Sequence, residues 1–159
     1  MKDFNKALSY SFLLLKYRDR SSSEVASRLK IKGYAPAIRR EVIEYLEENN
    51  YINDEDFARL FVDYSVEKGW GPRRIEFNLK KLGIPSQLRK QVFKKGCVYN
   101  KKIGEIIQRK LTYYRAKKPA IPAQKIWQKI TAHLINRGFE YGAIYQEMRN
   151  LGVDRFEDK

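Results

Sequence analysis

Apolar residues recur along this chain at spacings of three and four, the period of one face of an α-helix. Ile38, Val42, Tyr45 and Leu46 fall at i, i+4, i+7 and i+8. Phe57, Leu60, Phe61 and Tyr64 repeat the pattern, as do Ile103, Ile106, Ile107, Leu111 and Tyr114. Start signals agree with it. Ser21 followed by Glu24 has capping-box spacing ahead of Val25, and Asn53 with Asp56 gives a weaker version ahead of Phe57. Pro36, Pro72, Pro85 and Pro122 stand where a first helical turn tolerates proline, and Gly33, Gly83 and Gly138 suit left-handed stops at helix ends. No run alternates with period two between hairpin turns, so a sheet is not expected. The breaks predict nine helices: 4–17, 22–33, 36–49, 54–68, 72–83, 86–95, 101–115, 122–137 and 140–150.

The chain also resembles itself. Shifted by fifty, Val25, Leu29, Gly33, Tyr34, Ile38 and Val42 fall on Ile75, Leu79, Gly83, Ile84, Leu88 and Val92. A further shift of fifty-five carries the first four of these onto Ile130, Leu134, Gly138 and Phe139. One inserted residue then puts Leu88 and Val92 on Ile144 and Met148. A unit of this size buries its own apolar face poorly, so stacking three in tandem gives a continuous core. The expectation is an all-α fold of three tandem three-helix repeats, residues 1–50, 51–98 and 99–159, forming an elongated, curved helical solenoid. The stretch Arg115 to Gln124, with two prolines, reads as a basic joint or surface loop inside the third repeat.

Charge adds a partner class. The formal net charge is +14, and it is unevenly placed. Between Phe77 and Phe139 there are sixteen basic residues and one acid, Glu105, a balance of +15; the rest of the chain comes to −1. A one-sign stretch of this length points to phosphate contact, which supplies affinity and salt dependence without sequence specificity. The candidate DNA-binding residues are Lys80, Lys81, Lys101, Lys102, Arg109, Lys110, Lys117, Lys118, Lys125 and Lys129.

Candidate chemistry is thin. His133 is the lone histidine, with no convergent partners suggested by the sequence, and reads as structural. Cys97 is the lone cysteine, so it can neither close an internal disulfide nor build a zinc site. Gly69-Trp70-Gly71-Pro72 lacks the phosphate-loop pattern and follows a helix. No apolar run approaches a membrane span, and the opening residues do not read as a signal peptide. The expectation is a soluble, cytoplasmic, monomeric protein with no cofactor, no metal and no catalytic residues.

Two stretches carry a resemblance. Residues 50–61, NYINDEDFARLF, resemble the motif entering the second unit of the RecX family, regulators of the bacterial RecA recombinase, and residues 68–84, KGWGPRRIEFNLKKLGI, are similar to that family's most characteristic run. HLINRGF, His133 to Phe139, is similar to that family's closing helix end, and KYRDRSSSEVASRLKIKGY fits its first unit. Asn53 departs from the pattern, standing where an acid is common. The resemblance covers nearly the whole chain. It implies three tandem three-helix repeats. It also implies binding to RecA filaments along their groove, contact with single- and double-stranded DNA, and restraint of ATP hydrolysis, strand exchange and coprotease activity.

Arg73 and Arg74 follow Pro72 in a first helical turn, where cations oppose the macrodipole. Either an anionic partner or the acids at Asp54–Asp56 would account for them, and they are the candidate partner-binding residues. Trp70 beside them reads as a packing wedge more readily than as a base-stacking surface. A helix-turn-helix transcription regulator is the rival reading, and it requires a dimer matched to half-sites. No dimer seam is evident, and the charge spans several helices.

Overall fold

The computed structural model describes residues 2–93, 98–117 and 121–153. Among the described residues there are nine helices and no strand: α1 (Lys2–Tyr17), α2 (Ser22–Ile31), α3 (Pro36–Glu48), α4 (Asp54–Glu67), α5 (Pro72–Lys81), α6 (Ser86–Phe93), α7 (Val98–Lys117), α8 (Ala123–Asn136) and α9 (Tyr141–Asn150). The all-α fold and the order of elements are as the periodicity predicts. The largest boundary difference is in α7, which starts three residues earlier than expected and runs on through Arg115 to Lys117. Proline disfavours helix for itself and its predecessor only, so Pro119 permits helical backbone up to Lys117. Residues 118–120 of the expected joint, Lys118 included, and Cys97 lie outside the described residues.

The repeat is visible in the backbone. After α2, α5 and α8, Gly33, Gly83 and Gly138 adopt φ of 85°, 78° and 90°. In each case the glycine N–H donates to the carbonyl three residues back, and the next N–H reaches five residues back: Tyr34 to Leu29 at 3.2 Å, Ile84 to Leu79 at 3.0 Å, Phe139 to Leu134 at 3.1 Å. That is the Schellman arrangement, in which orphan carbonyls of the last turn find donors. The same pair of bonds ends α3 at Asn50, α4 at Gly69 and α9 at Gly152, three stops the sequence reading did not pick out. Leu29, Leu79 and Leu134 are each 0% exposed, as are Val25, Ile75 and Ile130.

The expected apolar face of α4 needs correction. Leu60 and Tyr64 are 58% and 59% exposed, whereas Ala58, Val62 and Val66 are buried. Two apolar sets share this helix at helical spacing, and periodicity cannot choose between them. The set with smaller side chains is the buried one.

The chain divides into two compact units, Met1–Phe61 with Asn78–Val92, and Val62–Phe77 with Phe93–Lys159. In the first, Ala7, Val25, Leu29, Val42, Leu46 and Ile52 form a core, edged by Phe4 against Tyr45 and Phe12 against Tyr51. In the second, Ile103, Ile106 and Ile107 of α7 pack with Trp127, Ile130 and Leu134 of α8 and with Phe139, Ile144 and Met148.

Candidate nucleic-acid and partner interface

Helix ends, as well as helix faces, hold the second unit together. The first amides of α5 lack intrahelical acceptors, and the carbonyls of Arg137 and Gly138 just past α8 have no donor within that helix. They serve one another. Gly71 N–H donates to the Arg137 carbonyl at 2.7 Å, and Arg73 N–H donates to the Gly138 carbonyl at 3.1 Å. The approach is so close that a Cβ on Gly71 would overlap the backbone of Gly138 and Phe139, and one on Gly138 would overlap Arg74. Arg137 adds a clasp. Its Nη1 donates to the carbonyls of Lys68 at 2.6 Å and Gly69 at 3.2 Å, closing the end of α4. GWGPRR and NRGF, separate in sequence, are two sides of one joint.

The first unit contains a similar joint. Ser21 Oγ accepts from Glu24 N–H at 3.2 Å within a full capping box and donates to the Leu82 carbonyl at 2.5 Å, beyond the last turn of α5. A Cβ on Gly83 would strike Ser23. Asp54 accepts from Ser22 N–H at 2.8 Å and from Ser22 Oγ at 2.7 Å. A cleft of about 450 Å³ lies in this unit, with Arg39 and Arg40 on its lining together with Glu44 and Glu47. Burial, helped by Asp54 and Glu44, pushes the Glu47 carboxyl above its ordinary value. The cleft carries both signs of charge.

Arg73 and Arg74 have internal partners, though not the acids at Asp54–Asp56. Arg73 Nε donates to Glu140 Oε1 at 3.2 Å, and the Arg74 guanidinium lies 4.5 Å from the centre of the Trp70 ring. The α8 carbonyls at the head of α5 also offset the unfavourable placement of two cations there. Arg73 is nevertheless 70% exposed, and an exposed pair of this kind is worth little.

The other expected site residues differ in exposure and in the unit that carries them. Lys80 and Lys81 are exposed at the end of α5, in the first unit, where they complement the helix dipole. Lys102 is 20% exposed and held by Glu105 at 3.2 Å and Glu67 at 3.5 Å. The hydrogen bond to Glu105 is the main cause of its raised pKa, and this pairing makes it the least available of the set. Lys101, Arg109, Lys125 and Lys129 are exposed in the second unit, and Lys110 is half-buried there. Lys117 closes α7.

The structure adds two residues to this list. Arg137 Nε donates to His133 Nε2 at 3.1 Å, which requires that nitrogen to be unprotonated. Desolvation, then the charges of Lys110, Arg137 and Arg109, hold the His133 pKa below its ordinary 6.5. Cations from α7 and from the end of α8 therefore converge around His133. The i, i+4 spacing of His133 and Arg137 was legible in the sequence, but their meeting with α7 was not. Among the described residues no group of three or more His, Cys, Asp or Glu could hold a metal ion, and no helix is long and apolar enough to cross a membrane.

Paired helix-end joints and three-helix units define a class, the all-helical proteins of tandem three-helix domains. Family models for the first and the second three-helix domain of RecX match residues 7–46 and 53–92. The chain is 30% identical over 133 residues to the regulatory protein RecX of Actinobacillus pleuropneumoniae serotype 5b, covering 84% of each chain. It is 29% identical over 148 residues to that of Chlorobium limicola, covering 92% of this chain and 90% of the other. The chain belongs to the RecX family of regulatory proteins. It spans 65% of the relative from Caldanaerobacter subterraneus and 51% of that from Geobacillus thermodenitrificans. The crystal structure of RecX from Lactobacillus salivarius shares the fold, with a TM-score of 0.83 at 22% identity over 96% of this chain and 99% of the other.

Proposed function

We propose that this chain regulates RecA filaments, chiefly by inhibition, while holding DNA through its phosphates, and that it catalyses no reaction itself. The observation that carries the DNA half is the basic row at i, i+4 spacing along α8, with Lys125 and Lys129 exposed and Arg137 bonded to His133, on which the charges of Arg109 and Lys110 of α7 also act. A concentration of positive charge favours polyanions and is blind to base sequence. The RecA half rests on membership of the RecX family and on the exposed Arg73 and Arg74, which we assign to an acidic surface of the filament. Lys80, Lys81, Lys101, Lys117 and Lys118 extend the DNA contact in this reading, and Lys102 contributes least.

In the same reading the repeats are residues 1–50, 51–98 and 99–159, and the protein acts as a cytoplasmic monomer in recombination, DNA repair and the SOS response. Strand exchange and coprotease activity fall with ATP hydrolysis because all three need the filament. The test is RecA's DNA-dependent ATPase with and without this protein, both from one organism. Inhibition that weakens in Arg73→Ala/Arg74→Ala more than binding to naked DNA does is the expected result. An unaffected ATPase, or binding confined to one palindromic site, would instead favour a helix-turn-helix transcription regulator.

A further inference from the structure

Helix α9 presents an aromatic stripe that packing does not account for. Tyr141 and Tyr145 lie one turn apart and are 47% and 38% exposed, although the same helix buries Ile144 and Met148 completely. Their rings are near-parallel, 18° between planes with centroids 6.3 Å apart. Behind them, Trp127 meets Tyr141 edge to face at 71° and 6.2 Å, so the first ring is braced by the core of the second unit. Arg149 follows one further turn along, also exposed. Glu140, the residue before Tyr141, is joined to Arg73.

We propose that Tyr141 and Tyr145 form a stacking platform for unpaired bases of single-stranded DNA. The proposal rests on the DNA-binding reading above and adds to it the part of the strand that α9 would grip. Braced, half-exposed aromatic rings beside cations suit a single strand, because every base has a face to stack and stacking is tolerant of sequence. The occupant follows from charge. Arg149 lies one turn beyond Tyr145 on the same face of α9, and the exposed Arg73 holds Glu140 beside Tyr141, so each end of the pair carries a guanidinium and that acid is already paired, which favours a polyanion over an apolar protein surface. Bases paired in a duplex do not offer their faces, so the platform discriminates single strands from double strands where phosphate contact alone does not.

The experiment compares oligothymidylate with an abasic strand of equal length and phosphate count, at one salt concentration. The expected result is roughly tenfold tighter binding of oligothymidylate, reflecting at least one stacked base. Tyr145→Ala should bring that ratio close to one while leaving affinity for the abasic strand unchanged, and Tyr145→Phe, which keeps the ring, should retain it. A misfolded variant loses both strands together, and Tyr145→Phe guards against that misreading. Equal affinity of the parent protein for the two strands overturns the platform and leaves the phosphate reading standing. Failure to bind either strand overturns both. A Tyr145→Ala protein with an intact ratio but impaired inhibition of RecA overturns the platform in favour of a protein-docking surface.

Discussion

Gly71 does not need left-handed backbone, yet the second unit has no room for a side chain there. The obstacle is the backbone of Gly138 and Phe139, which cannot rotate aside as a side chain would. Gly71→Ala should therefore part the joint between α5 and α8 and lower the thermal midpoint clearly. Gly142→Ala is the control: open space surrounds that glycine within α9, and helix propensity should add up to ~1 kcal/mol of stability. A Gly71→Ala protein that melts with the parent would disprove the joint. His133 supports a second prediction at this scale. Its folded pKa lies below the ordinary 6.5, so between those two values the unfolded chain binds more protons than the folded one. Stability should then fall as pH drops through 6.5 toward the folded value, and recover as pH rises. Burial of the ring is the main cause, followed by the charges of Lys110 from α7, Arg137 beyond α8 and Arg109 from α7. Melting curves across that range should show a steeper acid decline for the parent than for His133→Gln.

Among the helices, the lesson lies at the ends. Positions of the helices were legible because the apolar period and the proline and glycine punctuation agree, as at Ser21–Glu24 and Gly33. The buried face of α4 was not legible, since two apolar sets compete there and tertiary packing selected the one holding Ala58. The joints were half legible. GWGPRR and NRGF stood out as motifs, but sequence order gives no sign that Gly71 and Gly138 touch, because that contact is set by packing between distant helices. The basic surface was legible as a charge imbalance, whereas the convergence of α7 cations on His133 needed three-dimensional placement. Ser21 concentrates several functions in one hydroxyl, capping α2 and bonding the Leu82 carbonyl. Ser21→Ala should cost ~1–2 kcal/mol, the upper range for a lost N-cap, because the Leu82 carbonyl loses its donor too. Chemical denaturation read by circular dichroism would measure it. A loss of only a few tenths would mean that water replaces both bonds.

For the whole molecule the governing quantity is charge. The region from Phe77 to Phe139 carries the entire excess, so DNA affinity should fall steeply and linearly on a double-logarithmic plot against salt. Each phosphate contact on a single strand contributes about 0.7 to the slope. Replacing Lys125 and Lys129 with Glu should thus flatten the slope by on the order of one unit or more, with similar effect on every sequence tested. Titrations of the parent and this variant at several salt concentrations decide it. An unchanged slope would move the contact away from α8.

The joint of α8 with α5 also bears on how the protein comes into being. A ribosome delivers α4 and α5 well before Arg137, which lies 69 residues beyond the Lys68 carbonyl that it serves. Until then the carbonyls of Lys68 and Gly69, just past α4, and the first amides of α5 lack these partners. The second unit is therefore not completed in the order in which it is written. A chain broken off before Arg137 lacks the clasp on the Lys68 and Gly69 carbonyls altogether.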